Sequence, residues 1–114
     1  MITIYHYNKC SKSRCVLGYL DENGQPYNTR FYLENPLNKQ ELINLHKKID
    51  LSLIEMVRTN ESIYRELFGK DTPSDDQLLD AIVAHPILLQ RPIVEKDDVA
   101  IIARPPESVY NLIS

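Results

Sequence analysis

The sequence predicts an α/β fold in which a mixed sheet of about four strands is interrupted by a block of helices. Three observations predict it. The N-terminal part has a β-α-β pattern, the middle has repeated helix-capping signatures, and the C-terminal part has two apolar runs around a polar turn. With 114 residues and 43% hydrophobic residues, the chain is predicted to form one domain over residues 1–114, with the helical insertion at about 38–89.

The first three elements are predicted directly from local patterns. Ile2–Tyr5 reads as a strand, and a polar turn comes after it. A helix is predicted over about Ser13–Glu22, because its apolar residues recur at helical spacing, and Asn23-Gly24 ends it. Tyr27–Leu33 is rich in aromatic residues and reads as a second strand.

The middle of the chain predicts helices. Three polar pairs have the spacing of an N-terminal capping box, in which two side chains satisfy each other's backbone N–H groups. These pairs are Asn38 with Glu41, Ser52 with Glu55, and Ser74 with Gln77. A short helix near Glu61–Leu67 is predicted to end at Gly69, and the helix after Ser74 is predicted to stop near His85-Pro86.

The last part of the chain returns to strand. Ile93-Val94 and Val99–Ala103 flank a polar turn and predict a hairpin, and Pro105-Pro106 suits the first turn of a final helix. Without the inserted helices, the order of elements is that of thioredoxin. Open α/β sheets bind ligands at the carboxyl ends of their strands, and Cys10 falls in the first such turn.

Charge and composition exclude several classes of function. The net charge of −3 gives no global electrostatic basis for binding nucleic acid or an anionic membrane. No apolar run approaches the roughly 20 residues that span a bilayer, and the N-terminus lacks the pattern of a signal peptide. We therefore expect a cytoplasmic protein with reduced thiols. A zinc site is not expected, because the two cysteines have no partners at metal-ligand spacing.

Cys10 is the candidate nucleophile. It immediately precedes a predicted helix, whose N-terminal N–H groups and dipole favour an anion, and His6 ends the preceding strand. Basic and hydroxyl side chains crowd the same turn: Lys9, Lys12, Arg14, Ser11 and Ser13. This turn is also expected to bind a tetrahedral oxyanion. The alternative is that Cys10 is an ordinary small buried residue.

Cys15 is the weaker candidate. The Cys-x4-Cys spacing does not favour a disulfide with Cys10, and Cys15 shares an apolar stripe with Tyr19, so we predict that it packs in the core.

Three arginines, namely Arg58, Arg91 and Arg104, stand at element boundaries. Each alone is most simply a surface charge, but arginine is also the residue that grips oxyanions with a planar fork.

Several motifs together resemble the glutaredoxin-dependent arsenate reductase family. Cys10-Ser11-Lys12-Ser13-Arg14 is similar to the Cys-x-x-Ser-Arg loop of that family. Further similar blocks occur in order along the chain: Tyr32-Leu33-Glu34-Asn35-Pro36, Asp75-Asp76-Gln77-Leu78, His85-Pro86-Ile87-Leu88, Arg91-Pro92-Ile93-Val94 and Arg104-Pro105-Pro106-Glu107. The chain ends at Ser114 and so resembles a shorter subgroup of the family.

The resemblance implies a thioredoxin-like fold and a specific chemistry. Cys10 would attack arsenate to form a thiol–arsenic adduct, and glutathione and glutaredoxin would supply the electrons, without a metal or a bound organic cofactor. His6 would favour the thiolate. The oxyanion would be held by the three arginines, with Ser11, Ser13 and Arg14 as further substrate-binding candidates. A cis peptide bond is expected before Pro92, where thioredoxin-like folds place one, and we expect a monomer.

Three other functions remain open from the sequence. The protein could be a glutathione-linked thiol reductase of another substrate, or a domain without catalysis. Relatives of the fold also act as redox-sensing regulators that bind RNA polymerase and use a Cys-x-x-Cys switch. Here Ser13 stands where the second cysteine would be, which removes that switch.

Overall fold

A four-stranded mixed sheet forms the centre of the computed structural model, which describes residues 1–113. The strands are β1 (Ile2–His6), β2 (Tyr27–Phe31), β3 (Ile93–Lys96) and β4 (Val99–Ile102), in the spatial order β2-β1-β3-β4. β1 runs parallel to β2 and antiparallel to β3, and β3 is antiparallel to β4. The predicted α/β fold with a thioredoxin-like mixed sheet is therefore confirmed.

Helices fill the connections. The five α-helices are α1 (Ser11–Glu22), α2 (Lys39–Lys48), α3 (Ser62–Phe68), α4 (Asp75–Ala84) and α5 (Tyr110–Ile113). Single turns of 3-10 helix occur at Leu53–Met56, Pro86–Leu88 and Pro106–Val109. From α2 to Pro86–Leu88, all regular elements between β2 and β3 are helical, as the sequence predicts. No helix among residues 1–113 combines the length and apolar character needed to cross a membrane.

Two of the predicted capping boxes form as expected. At the start of α2, the Asn38 side chain accepts the Glu41 N–H at 2.8 Å, while the Glu41 carboxylate accepts the Asn38 N–H at 3.0 Å. Ser74 and Gln77 make the same reciprocal pair at the start of α4. At Ser52 the signature opens only a turn of 3-10 helix, so the capping pattern correctly marks where a helix begins but does not predict its length.

Each strand ends at a different residue from the one predicted: β1 is one residue longer and β4 one residue shorter, and the differences at β2 and β3 are larger. β2 stops at Phe31 rather than Leu33, because the chain turns there and the N–H groups of Glu34 and Asn35 both bond to the Phe31 carbonyl. β3 continues to Lys96, so the hairpin turn contains only Asp97 and its neighbour. Asp97 has φ of 55°, the left-handed conformation that Asp tolerates better than most residues.

The sheet separates two apolar cores, because side chains alternate between the faces of a strand. Ile2 and Ile4 of β1 join one core with Val16 and Leu20 of α1 and with Val109, and we call it the α1-side core. Tyr5 of β1 points the other way. It joins the larger insertion-side core, which contains Tyr32, Leu37, Leu42, Leu45, Met56, Leu78, Ile82, Leu88 and Ile93. The inserted helices therefore cover one face of the sheet.

A short backbone ladder joins the middle of the insertion to its C-terminal end. Val57 and Leu89 form an isolated antiparallel bridge. On either side of it, the Arg58 N–H bonds to the Leu88 carbonyl at 2.7 Å and the Gln90 N–H bonds to the Met56 carbonyl at 2.8 Å. We call this ladder the 57–89 clamp. It brings Arg58 beside the segment that leads into Arg91.

Candidate active site

Cys10 stands at the junction of β1 and α1. It is the N-cap residue of α1, with extended backbone angles of −90° and 117°, and its carbonyl accepts the N–H of Arg14 to start the helix. Its own N–H bonds to the Tyr7 carbonyl at 3.0 Å, which closes the turn. The thiol is partly exposed. A cysteine at an N-cap is close to helix N–H groups that are free to stabilise a negative charge.

The surroundings of Cys10 lower its pKa below the ordinary value. Burial alone would raise the pKa of the Cys10 thiol, but the N–H of Ser13, the guanidinium of Arg91 and the N–H of Lys12 outweigh burial. The sulfur makes no capping hydrogen bond in the structure, because a neutral thiol is a weak acceptor. Once the thiol is ionised, the N–H groups of Lys12 and Ser13 stabilise the thiolate. The predicted activation of Cys10 is thus confirmed in direction.

His6 is buried and its two ring nitrogens contact two residues around the Cys10 turn. It is 2% exposed, its Nδ1 lies 2.6 Å from Ser13 Oγ, and its Nε2 lies 2.9 Å from Asn8 Oδ1. Ser13 Oγ also accepts the Tyr7 N–H at 3.3 Å. These partners assign the proton to Nε2, with the Ser13 hydroxyl donating to Nδ1. Burial lowers the pKa of His6, which keeps the ring neutral.

The role expected of His6 therefore changes in kind. The sequence suggests a histidine that lies beside the sulfur, and the resemblance implies that it favours the thiolate. Both ring nitrogens are instead occupied by Ser13 and Asn8, and the ring is neutral. His6 acts on Cys10 through Ser13, whose N–H faces the sulfur. It is a positioning residue in this geometry.

Cys15 is exposed, and the prediction that it packs in the core is wrong. The buried stripe of α1 consists of Ser13, Val16 and Leu20. Cys15 lies two residues after Ser13, which places it about 200° around a helix and therefore on the opposite side. The polar Ser13 occupies the stripe because His6 provides its partner, a contact that periodicity of apolar residues does not reveal.

Arg91 approaches Cys10 from the segment before β3. The Arg91–Pro92 peptide is cis, as predicted, and Arg104–Pro105 is cis as well. The Arg91 guanidinium carbon lies 4.8 Å from the centre of the Tyr7 ring, a cation–π distance, and the guanidinium also interacts with the Cys10 sulfur. Its Nε and Nη1 are buried without a hydrogen-bond partner among the described residues. Arg91 thus has unused donors next to the nucleophile.

Arg58 is the second arginine at this place. The 57–89 clamp fixes its backbone, and its side chain is 16% exposed. The Nε of Arg58 lies 3.8 Å from a carboxylate oxygen of Glu61, too long for a hydrogen bond, and it has no such partner within residues 1–113. Arg58 and Arg91 both act electrostatically on Tyr32, as does Cys10. These contacts bring Arg58, Arg91 and Cys10 around a common centre.

Three other substrate-binding candidates, Arg104, Arg14 and Ser11, are exposed. The side chain of Arg104 is exposed, and its Nε donates to the Arg91 carbonyl at 2.6 Å, so it supports Arg91. Arg14 is exposed and donates to the Asn8 carbonyl at 2.7 Å, which braces the turn. Ser11, the first residue of α1, is exposed. Their roles as ligands remain predictions.

The arrangement can hold a small anion against a thiolate. Two guanidinium groups with unused donors and the N–H groups at the start of α1 supply positive charge locally, although the chain has a net charge of −3. A cavity of about 150 Å³ beside the turn is lined by residues 6–9 with Phe31, Leu33 and Glu34, and its lining does not include Cys10 or the two arginines. Among residues 1–113, no group of three or more His, Cys, Asp or Glu side chains is placed to hold a metal.

Three contacting residues are absent from the set predicted by sequence. Tyr7 supports the Arg91 guanidinium, Asn8 binds His6, and Tyr32 lies between the arginines and the insertion-side core. Tyr7 and Asn8 directly precede the Cys10 turn, and this proximity is a usable signal. In the sequence, Tyr32 is an aromatic residue of a predicted strand and the first residue of one block that carries the resemblance, and neither feature marks it as a site residue.

The chain is similar over nearly its whole length to known proteins. The model of the ArsC family matches residues 5–112. The chain is 40% identical over 111 residues to an arsenate reductase of Neisseria meningitidis, covering 95% of this chain and 94% of the relative. It is 40% identical over 114 residues to the uncharacterized protein YfgD of Escherichia coli, covering 98% and 96%. The solved structure of an arsenate reductase from Vibrio cholerae superposes with a TM-score of 0.92, at 39% identity and coverage of 96% and 95%.

Proposed function

This chain belongs to the ArsC family, the arsenate reductase family, and from that premise we propose that it reduces arsenate to arsenite with Cys10 as the nucleophile. The observation that supports this most is the meeting of an activated thiol with two arginines that have unused buried donors. A reductase of an oxyanion needs a nucleophile and a counter-charge in one place. A buried thiol with a purely structural role needs neither.

In the first step the Cys10 thiolate attacks arsenic(V). A sulfur–arsenic bond forms, one arsenic–oxygen bond breaks, and the departing oxygen keeps its electron pair, takes up protons from solvent and leaves as water. Two negatively charged reactants must meet for this to happen. Arg91 and Arg58 reduce their repulsion, and they are in position before the reaction, so they can also stabilise charge in the transition state.

In the second step two electrons reach arsenic from outside the protein. Glutathione and glutaredoxin supply two thiols, which become a disulfide as arsenic(V) becomes arsenic(III), and their two protons leave with one arsenic-bound oxygen as water. A second water then breaks the sulfur–arsenic bond, which releases arsenite and returns the Cys10 thiol. An external thiol is favoured because Cys15 is exposed on the far side of α1 from the buried stripe, and both cysteines are free. The proposal includes no bound cofactor, and it assigns the reaction to a monomer in the cytoplasm, where glutathione is reduced.

The test is turnover of arsenate by the purified protein with glutathione and glutaredoxin. Cys10→Ser should abolish it, since an alcohol is not ionised at neutral pH, whereas the matched Cys15→Ser should keep most of it. Omitting glutaredoxin should stop multiple turnovers while leaving adduct formation on Cys10, which mass spectrometry can detect.

Three results would change the proposal. Loss of turnover in folded Cys15→Ser would assign the second thiol to Cys15 and remove glutaredoxin from the mechanism. Activity with another small thiol protein in place of glutaredoxin would change the reductant only. If the wild type reduced glutathione mixed disulfides but not arsenate, the protein would be a thiol reductase of a different substrate.

A further inference from the structure

Tyr32 is a fully buried residue whose hydroxyl has no partner among the described residues. The side chain is 0% exposed and packs in the insertion-side core. Its oxygen makes no hydrogen bond within residues 1–113. Nearly all buried polar groups in folded proteins are hydrogen-bonded, because leaving one unsatisfied is unfavourable. A phenylalanine would pack the same ring without that cost, so packing alone does not explain the hydroxyl.

The groups around the Tyr32 hydroxyl are those of the candidate active site. Arg91 acts on it most strongly among the neighbouring charges, followed by Arg58, and Cys10 also acts on it. The Arg91 guanidinium is close enough to act on the hydroxyl by its charge and as a hydrogen-bond donor. No well-formed hydrogen bond joins them, since Tyr32 Oη and two guanidinium nitrogens of Arg91 have no partner of good geometry among the described residues. Arg58 Nε makes no hydrogen bond among the described residues either, although a Glu61 carboxylate oxygen lies 3.8 Å from it.

Four buried donor atoms therefore share one region and have no acceptor among residues 1–113: Tyr32 Oη, Arg58 Nε, Arg91 Nε and Arg91 Nη1. Nitrogen atoms of a guanidinium group can only donate, so neither arginine can satisfy the other. A tyrosine hydroxyl that faces guanidinium groups can accept from them but still has its own proton to donate. The region needs a group with several acceptor oxygens, and a tetrahedral oxyanion is such a group.

We propose that Tyr32 is a further substrate-binding residue, whose hydroxyl donates a hydrogen bond to the oxyanion held by Arg91 and Arg58 beside Cys10. This inference rests on the proposed function and deepens it by adding a neutral donor to the charged ones. Its position is fixed by burial of the ring, so the donor is aligned before the anion arrives.

The ionisation state of Tyr32 supports donation. Burial raises the pKa of Tyr32, and the nearby arginines only partly counteract that rise, so the hydroxyl stays protonated at neutral pH. A protonated hydroxyl adds a hydrogen bond without adding charge. It therefore strengthens the hold on the anion without further opposing the approach of the Cys10 thiolate, as an ionised tyrosine would.

The experiment uses Tyr32→Phe, which removes only the hydroxyl, in a Cys15→Ser background so that Cys10 is the one thiol. Arsenate, without glutathione, is titrated against alkylation of Cys10 by iodoacetamide, and the protecting concentration gives an apparent affinity. We expect Tyr32→Phe to weaken protection by about tenfold to a hundredfold, the effect of one hydrogen bond to a charged group. Its thermal midpoint should be unchanged or higher, because the removed hydroxyl has no partner within the described chain.

Tyr5→Phe is the matched control. Tyr5 is also buried in the insertion-side core, but its hydroxyl donates to Glu95 at 2.8 Å. Removing that hydroxyl should lower the thermal midpoint and leave arsenate protection unchanged. Tyr32→Phe is thus expected to weaken arsenate protection without lowering the thermal midpoint, whereas Tyr5→Phe is expected to lower the thermal midpoint without weakening protection. A merely structural role for Tyr32 would not give this difference.

Wild-type protection by arsenate in folded Tyr32→Phe would overturn the inference. So would loss of cooperative melting in that variant, which would show that the hydroxyl is structural. If arsenate fails to protect the wild type, the proposed function fails, and inorganic phosphate is then the probe. Protection by phosphate that Tyr32→Phe weakens would support an oxyanion site for another substrate, whereas no protection by either anion would overturn both proposals.

Discussion

The sulfur of Cys10 faces groups that are not its nearest basic neighbours in the sequence. Lys9, Lys12 and Arg14 suggest activation by local charge. The pKa of Cys10 is instead lowered by the N–H groups of Lys12 and Ser13 and by Arg91, which is 81 positions further along the chain. The Arg14 side chain bonds to the Asn8 carbonyl. Activation therefore depends on the tertiary fold.

We predict that Arg91→Gln raises the pKa of Cys10. Removing the guanidinium removes both its charge and its hydrogen bonding to the thiolate, so the midpoint of alkylation rate against pH should move upward. Arsenate turnover should fall by about a hundredfold, a typical cost of losing one preorganised donor. Arg65→Gln is the control, because Arg65 is exposed on α3 and bonds to the Asn60 carbonyl. An unmoved midpoint in Arg91→Gln would contradict the assignment.

Burial of neutral His6 predicts a loss of stability in acid. The pKa of His6 is lowered in the folded state from about 6.5, so below that pH the unfolded chain binds a proton that the folded chain does not. The free energy of unfolding should therefore fall as pH decreases below about 6.5. His6→Gln should lose less stability over that window in urea titrations. Parallel pH profiles for the two proteins would show that His6 does not contribute.

At this scale the sequence predicts the chemistry of single positions better than their burial. Cys10 is predicted from its place in the first turn, and the role of Arg91 and the cis bond before Pro92 are predicted from the family resemblance. The structure confirms the cis bond, and the surroundings of Cys10 lower the pKa of its thiol. The exposure of Cys15 is not predicted, since it depends on the pairing of Ser13 with His6. The unpartnered hydroxyl of Tyr32 is visible only in three dimensions.

The residue at which a helix begins is the feature that local sequence determines most directly. The Asn38 box also connects to the sheet, because Glu41 accepts two hydrogen bonds from Arg30 of β2 at 2.5 and 3.1 Å. The Arg30 guanidinium and the Asn38 N–H lower the pKa of Glu41. This cap therefore fixes the direction in which α2 leaves the sheet. The rest of a helix, including its length, depends on packing that capping residues do not encode.

We expect Asn38→Ala and Ser74→Ala each to lower the free energy of unfolding by about 0.5–2 kcal/mol. Each substitution removes a side chain that accepts a backbone N–H of its helix. Ser62→Ala is the matched control, because Ser62 is the exposed first residue of α3 and is not an N-cap. Urea denaturation measures all three variants. Equal effects for Ser62→Ala and Ser74→Ala would mean that the box at α4 contributes nothing.

The 3-10 turns and strand ends mark the limit of local prediction. Ser52 with Glu55 has the same signature as the other boxes but opens only four residues of 3-10 helix, because the chain must turn into the 57–89 clamp. β2 loses its last two predicted residues because the turn after Phe31 buries Tyr32. In both cases a long-range contact overrides the local preference.

Across the whole molecule, the two cores hold the site from opposite faces of the sheet. α1, which begins directly after Cys10, packs on one face through Val16 and Leu20, whereas Arg58 is attached to the insertion-side core on the other. The site therefore exists only when both cores are formed. The order of the elements could be predicted from the sequence. Which core each site residue packs against could not, because that depends on the face of the sheet that each side chain of β1 occupies.

Leu20→Ala should lower the free energy of unfolding by about 2–5 kcal/mol, because Leu20 is 0% exposed in the α1-side core and its removal leaves a cavity. Leu67→Ala is the control. Leu67 is 46% exposed on α3, and the same substitution there should change stability by less than about 0.5 kcal/mol. Denaturant titration distinguishes them. A small effect at Leu20 would show that α1 contributes little to the folded state.

The 57–89 clamp has a practical consequence for labelling the molecule. It fixes Arg58 and the approach to Arg91 at the base of the insertion, while α3 and its flanks, residues 59–73, contain no fully buried side chain. Within that stretch Glu61 contacts Arg58, with a carboxylate oxygen 3.8 Å from Arg58 Nε and its N–H bonded to the Arg58 carbonyl, so changes are best made at exposed positions beyond Glu61. Lys70, exposed just after the left-handed Gly69, is a place to attach a fluorophore or a surface tether, so that binding of partner proteins can be followed while the chemistry at Cys10 stays intact.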